Sequence, residues 1–270
     1  MDTRPIGRFD SGLGGLTAVR VLAQAAPWES FVYLGDTGNA PYGDRSVEDI
    51  RALTRRNARY LRSHDVKAIL VACNTSTTNA LPWLEADNAD IPVVGALSPS
   101  VAAAVEASKT GRIGVLATAA TVNSGGYQAA ITARLPSAQV TAVGCPKLVP
   151  LIESGHTDPG DPAMEAAVEE YTAPLRQAGV DTVILGCTHY PLARAAIGQA
   201  MGPDAALIDA GAASVGALLE SLAARDALGD MTAKAGSRKF YCSAGKDLFT
   251  TLGSAFLGWS MEGLTEEIQY

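Results

Sequence analysis

Short apolar runs alternate with amphipathic stretches along almost the whole of this chain. Ile6-Gly7-Arg8-Phe9 reads as a first strand, ending in a glycine-rich turn from Asp10 to Gly15, with helical spacing from Leu16 to Ala26. Phe31 to Leu34 predicts a second strand, and a turn-rich loop follows before a helix over Val47 to Arg62 that Ser46 is placed to cap. Val66 to Val71 is a third strand, Asn74 opens a helix toward Asp87, Ile91 to Gly95 is a further strand, and Ser100 to Ser108 a helix. Apolar runs of about four to eight residues alternating with helical spacing predict βα units on parallel sheets.

From residue 111 the pattern restarts. Arg112 to Ala117 is a strand, Thr118 to Tyr127 turns into a helix, and Val140 to Val143 is the next strand. Leu148 to Gly155 follows, and a helix over Pro162 to Ala178 precedes an apolar run from Val180 to Leu185. Ala206 to Asp209, a helix to Ala224, a surface loop from Asp226 to Ser237, a strand over Arg238 to Cys242 and a helix over Lys246 to Leu257 complete the chain. Val66 precedes Cys73 by the same spacing as Val180 precedes Cys187, and Ile113-Gly114 echoes Ile6-Gly7. These matches predict a diverged duplication: an α/β fold of two pseudo-symmetric open-sheet domains facing each other across a cleft. Arg51, Arg55, Arg56, Arg59 and Arg62 read as the solvated face of their helix.

Composition narrows the partners. The 270 residues are 47% hydrophobic and carry a net charge of −7, which argues against nucleic acid or an anionic membrane as the main partner. Neither a membrane-spanning run nor a signal-peptide core is present after Met1-Asp2-Thr3, so a soluble cytoplasmic protein is expected. The four cysteines form no C-x-x-C pair and are expected to be free thiols.

The candidate chemistry lies at two strand ends, Cys73-Asn74-Thr75 and Gly186-Cys187-Thr188-His189-Tyr190-Pro191. Ligands of open α/β sheets bind outside the carboxyl ends of the strands. Two thiols at equivalent ends of two facing halves approach one ligand from opposite sides. Asp10 is expected beside Cys73, and His189 is two residues from Cys187. A thiol has an ordinary pKa of about 8.5, so one cysteine can remove a proton while the other returns one to the opposite face. Competing patterns are weaker. Asp10-Ser11-Gly12 and Asp36-Thr37-Gly38 fit the aspartic-protease triplet but sit in an alternating β/α chain, and the glycine turn lacks Rossmann spacing. No lysine has a Schiff-base context, Cys145 and Cys242 read as structural, and His64 and His156 as surface residues. A zinc site built from Cys73, Cys187, His189 and Asp10, and a non-catalytic amino-acid sensor, stay open as alternatives.

With these residues in view, the chain resembles the glutamate racemases of the cofactor-independent aspartate/glutamate racemase superfamily. The resemblance is carried by Phe9 to Gly15, Gly35-Asp36-Thr37 with Pro41-Tyr42-Gly43, Ala72 to Thr75, Thr118 to Tyr127, Pro150 to Gly155 and Leu185 to Leu192, with Phe240 to Ser243 near the end. It implies two-base racemisation of glutamate without a cofactor, supplying D-glutamate for peptidoglycan. Cys73 would then deprotonate the D-enantiomer and Cys187 the L-enantiomer, assisted by Asp10 and His189. Ser11, Pro41, Tyr42, Gly43, Asn74, Thr75, Thr118, Thr121 and Thr188 match substrate-binding positions, and Glu153 matches an acid near the second cysteine. The resemblance further implies domains over residues 1–97 plus 208–270 and over 98–207, and a homodimer. Gly38-Asn39-Ala40 departs from the bulkier residues of many relatives and is expected to loosen that loop. Aspartate racemase is the nearest alternative activity.

Overall fold

The structure is a computed structural model and describes residues 1–269. In the first half, strands β1 (Ile6–Asp10), β2 (Phe31–Gly35), β3 (Ala68–Val71) and β4 (Val93–Gly95) alternate with helices α1 (Leu16–Ala25), α2 (Val47–Arg62), α3 (Asn74–Asp87) and α4 (Leu97–Ala107). The second half runs β5 (Arg112–Ala117), α5 (Ala119–Asn123), α6 (Gly126–Arg134), β6 (Gln139–Gly144), α7 (Leu148–Glu153), α8 (Pro162–Gln177), β7 (Thr182–Gly186), α9 (Arg194–Met201) and β8 (Ala206–Asp209). The chain then returns through α10 (Ala210–Ala223), β9 (Arg238–Cys242), α11 (Lys246–Leu257) and β10 (Thr265–Glu267).

All pairings are parallel, in two sheets of order β10-β9-β2-β1-β3-β4 and β6-β5-β7-β8. The run β2-β1-β3-β4 repeats as β6-β5-β7-β8, so the predicted duplication is present as topology. It persists in the packing. A Cβ on Gly7 would stand 3.0 Å from Val66, and one on Gly114 would stand 3.0 Å from Val180. The valines that lead each cysteine therefore press on the equivalent glycine of the neighbouring strand, which leaves no room for a side chain there.

One apolar core links the halves. It joins Leu13, Leu16 and Val19 of the first half to Leu116, Leu185, Cys187 and Tyr190 of the second, with Phe249 and Phe256 from α11. Smaller clusters fill the outer layers around Phe9, Leu61 and Val71, and around Val115, Tyr127 and Ile131. Local signals explain the helix starts. Ser46 Oγ accepts from the Asp49 N–H at 3.1 Å, and Asp161 caps α8 ahead of Pro162.

Several expectations need correction. The segment from Thr118 to Tyr127 forms two short helices, broken where Gly125 takes a left-handed φ of 65°. Between β7 and α9, Tyr190–Ala193 forms a 3-10 turn. β10 was not predicted, because Thr265-Glu266-Glu267 has no apolar run and its edge position leaves the two glutamates exposed. The arginine face of α2 is not simply solvated: it packs toward α3. Arg55 pairs with Asp87 at 2.6 Å, Arg62 with Asp90 at 2.6 Å and Arg56 with buried Asp36 at 3.1 Å, while Arg51 lies 3.6 Å over the Trp83 ring.

Gly7→Ala and Gly114→Ala each crowd a packed valine, and each is expected to cost on the order of 1–3 kcal/mol. Urea midpoints of the two variants check this, and the two losses should be similar because the two environments are.

Candidate active site

The carboxyl ends of β1, β3, β5 and β7 meet around a cavity of about 430 Å³. Its wall includes Asp10, Ser11, Pro41, Tyr42, Gly43, Cys73, Asn74, Thr75, Thr118, Glu153, Cys187, Thr188 and His189. Of the residues expected in the site, Thr121 alone stands off the wall. It is held just behind it by hydrogen bonds to Thr75 at 3.2 Å and Thr118 at 3.0 Å. A wider hollow of 720 Å³ beside Leu192 and Gly198 carries no thiol, imidazole or carboxylate, so size does not locate the chemistry.

Each thiol has its own electrostatic setting. Cys73 caps α3, and its Sγ accepts from the Ser76 N–H at 3.4 Å. Burial, and after it the charge of Asp10, push the Cys73 thiol up to about 11 despite that N–H. Asp10 ends β1, directly before the glycine turn, and its carboxylate accepts from the N–H groups of Gly15 at 3.0 Å and Gly12 at 3.3 Å. Burial raises its pKa, while the His189 charge and those N–H groups oppose the rise.

Cys187 directly follows β7 and its Sγ lies 3.8 Å from His189 Nδ1, while His189 Nε2 is 2.9 Å from Glu153 Oε1 on α7. Burial alone would lower the His189 pKa; the hydrogen bonds to Cys187 and Glu153 overcome it and raise the imidazole to about 10. The ring of Phe256 on α11 meets the imidazole edge-on at 5.8 Å. Cys187, His189 and Glu153 thus form a hydrogen-bonded chain, with both ring nitrogens placed to donate when the histidine is protonated.

The halves are locked together at this point. Thr17 Oγ1 on α1 donates to the Thr188 carbonyl at 2.9 Å, and Thr188 Oγ1 donates across to Asp10 at 3.4 Å. A side chain on Gly14 would overlap Thr188 Oγ1 and the His189 ring, so only glycine allows the two turns to approach this closely.

The loop over residues 36–44 is organised by Asp36, which is fully buried. Its carboxylate accepts from Tyr42 OH at 2.5 Å, Ser243 Oγ at 2.7 Å, Asn39 Nδ2 at 2.9 Å and Arg56. Asn57 Nδ2 also donates to the Tyr42 hydroxyl at 3.0 Å. The Tyr42 hydroxyl is thereby engaged by Asp36 and Asn57, and Tyr42 also lines the cavity. The small residues of Gly38-Asn39-Ala40 lie against the Ser243-Ala244 turn. Gly38 N–H donates to Ser243 Oγ at 2.9 Å, and a Cβ there would stand 3.3 Å from Ala244.

Sequence reasoning missed Asp36, Thr17, Gly14 and Phe256, which act through contacts distant in the chain. It also read Cys145 as structural. Cys145 lies on the cavity wall, where its Sγ donates to the Val143 carbonyl at 3.4 Å and burial pushes the thiol up to about 12. The zinc alternative lacks a donor set: among the described residues, no three His, Cys, Asp or Glu side chains converge to hold a metal ion. Among the same residues, no helix is long and apolar enough to cross a membrane.

Fold and site together define an α/β protein with a thiol from each half on the wall of one cavity. The profile of the Asp/Glu/hydantoin racemase family matches residues 17–218, and the chain belongs to that family. It is 41% identical over 266 residues to a glutamate racemase from Desulforudis audaxviator (strain MP104C), covering 97% of this chain and 96% of that one. It is 48% identical over 217 residues to a glutamate racemase from Streptococcus sanguinis (strain SK36), covering 80% of each. The structure matches the crystal structure of glutamate racemase from Francisella tularensis subsp. tularensis SCHU S4 in complex with D-glutamate. The TM-score is 0.92 at 32% identity, over 100% of this chain and 98% of that one.

Asp36→Asn removes the charge that gathers Tyr42, Asn39, Ser243 and Arg56. Hydrogen exchange across residues 37–44 should accelerate in that variant, with β1 and β3 protected as before.

Proposed function

We propose that this chain is a glutamate racemase, an isomerase that interconverts L- and D-glutamate by proton transfer between two thiols and needs no cofactor. The observation that carries the reading is the pair Cys73 and Cys187 at equivalent strand ends of duplicated halves, on one cavity, each beside its own acid–base partner. In the L-to-D direction the Cys187 thiolate takes the α-proton and the Cys73 thiol gives a proton to the opposite face. The S–H bond formed on one side balances the one broken on the other. The reverse reaction exchanges the roles, with Asp10 assisting Cys73 and His189 assisting Cys187.

His189 holds its proton between Cys187 and Glu153, while burial and Asp10 keep the proton on Cys73. No lysine or arginine lines the cavity, so the substrate carboxylates fall to neutral donors: Ser11, Asn74, Thr75, Thr118, Thr188 and the backbone around Pro41, Tyr42 and Gly43. Thr121 supports Thr75 and Thr118 from behind. We assign the first domain to residues 1–97 plus 208–270 and the second to 98–207; β8 pairs with the second sheet through Asp209, across that division. The family resemblance further supports a cytoplasmic homodimer that supplies D-glutamate for peptidoglycan.

Incubating each glutamate enantiomer separately in deuterated buffer tests the activity. Deuterium should enter the α-position and optical rotation should vanish from both sides, while aspartate should be unchanged. Exchange with aspartate alone would replace the substrate, and exchange with neither amino acid would end the racemase reading.

Cys73→Ser and Cys187→Ser should each lower racemisation by about 10²–10⁴-fold, because a hydroxyl ionises far less readily and general acid–base catalysis is lost. Wild-type turnover in either variant would refute the two-thiol mechanism.

The pH behaviour has a definite sign. The His189 pKa is raised in the folded state, so its stabilising effect is full below about 6.5 and is lost as pH rises through about 10. Glu153→Gln removes one of its two supports. The alkaline limb of kcat/KM for L-glutamate should therefore move to lower pH, and an unmoved limb would show that Glu153 does not hold the imidazolium.

A further inference from the structure

We propose that Tyr127 is a positioning residue for substrate recognition: it fixes the Asn74 amide so that the NH2 group, not the oxygen, faces the ligand carboxylate. The proposal rests on glutamate, or another amino-acid carboxylate, occupying the cavity.

Tyr127 stands at the start of α6 in the second half and is buried among Val101, Ala104, Val115 and Ile131. Asn74 opens α3 in the first half, directly after Cys73, and lines the cavity. The phenol crosses between the halves and donates to Asn74 Oδ1 at 2.6 Å. That separation suits O–H···O and is shorter than an amide N–H···O bond, which runs about 2.9–3.0 Å. The neighbouring hydroxyl cannot reverse the arrangement. Ser100 Oγ donates to the Ala96 carbonyl at 2.6 Å and lies 3.3 Å from the phenol, so its proton is already committed.

Asn74 Oδ1 is thus occupied, and among the described residues Nδ2 has no hydrogen-bond partner in the protein. An Asn amide has donors on one arm and an acceptor on the other, and the two arms have nearly the same shape. Without an external reference the arms exchange by a flip, and the wrong one would set an oxygen against a carboxylate. Tyr127 supplies that reference. In a cavity without lysine or arginine, the orientation of each neutral donor decides whether an anion is welcomed or repelled. The second half also holds the next residue: Thr75 Oγ1 lies 3.0 Å from Thr118 Oγ1. The recognition turn that follows Cys73 is therefore set by side chains of the opposite half.

The test is a double-mutant cycle on racemase kinetics with Tyr127→Phe, Asn74→Ala and the double variant, each checked for its melting temperature. Y127F leaves the aromatic ring in place and should raise KM for both glutamate enantiomers roughly tenfold with kcat little changed, as expected when uniform binding is lost. In the Asn74→Ala background the same change should add almost nothing, because the group that Tyr127 orients is gone. An unchanged KM in Y127F, or an equal rise with and without the Asn74 side chain, overturns the role. If Y127F does not fold, Asn74→Asp in the presence of native Tyr127 reads the same contact. With one oxygen held by the phenol, the other faces the substrate, so N74D should lose distinctly more affinity than N74A; equal losses overturn the proposal. Wild-type turnover in the same assay separates this from its parent reading. Turnover with an unaltered Y127F removes Tyr127 alone, whereas no turnover and no glutamate binding by the wild type removes both.

Discussion

The arrangement depends on how closely the glycine turn after β1 approaches the turn after β7. At Gly14 there is space for a hydrogen and nothing larger, and Thr17 and Asp10 reach across it to the backbone and hydroxyl of Thr188. That contact brings a carboxylate from one sheet and an imidazole from the other into a single electrostatic system. The rise in the Asp10 pKa is opposed chiefly by a charge on the opposite half. Separating the halves by the width of one methyl group would alter the ionisation of both partners at once.

Similar thiols stand among different neighbours. Cys73 has a helix N–H but also a neighbouring carboxylate and complete burial, and these keep it protonated. Cys187 has an imidazole clamped by Glu153, and that imidazole holds its proton to about 10. The duplication thus supplies two equivalent strand ends, and the divergence of the residues after them supplies the asymmetry. Asn74-Thr75 follows one cysteine and Thr188-His189 the other. The two strand ends are thus alike in position and different in the groups that attend them.

The cavity carries Asp10, Asp44 and Glu153 and no fixed cation other than a protonated His189. An anionic ligand is then recognised through oriented neutral dipoles, which repay their desolvation only if each points the right way. This accounts for the investment in buried polar networks behind the wall: Asp36 behind Tyr42, Tyr127 behind Asn74, Thr121 behind Thr75 and Thr118.

By itself the sequence determined the alternation of strands and helices, the duplication and the cysteine-bearing strand ends with their Asp10 and His189 partners. Those features are written in local periodicity and in short motifs whose residues lie next to one another, such as Cys187-Thr188-His189. The tertiary structure alone decided the rest. Asp36 to Ser243, Tyr127 to Asn74 and Thr17 to Thr188 are pairs separated by tens to hundreds of positions, and no periodicity announces them. β10 escaped because edge pairing, not apolar character, makes it a strand. Arg56 of α2, paired with buried Asp36, shows the same limit: a side chain's type suggests an environment, but its neighbours across the fold decide which one it has.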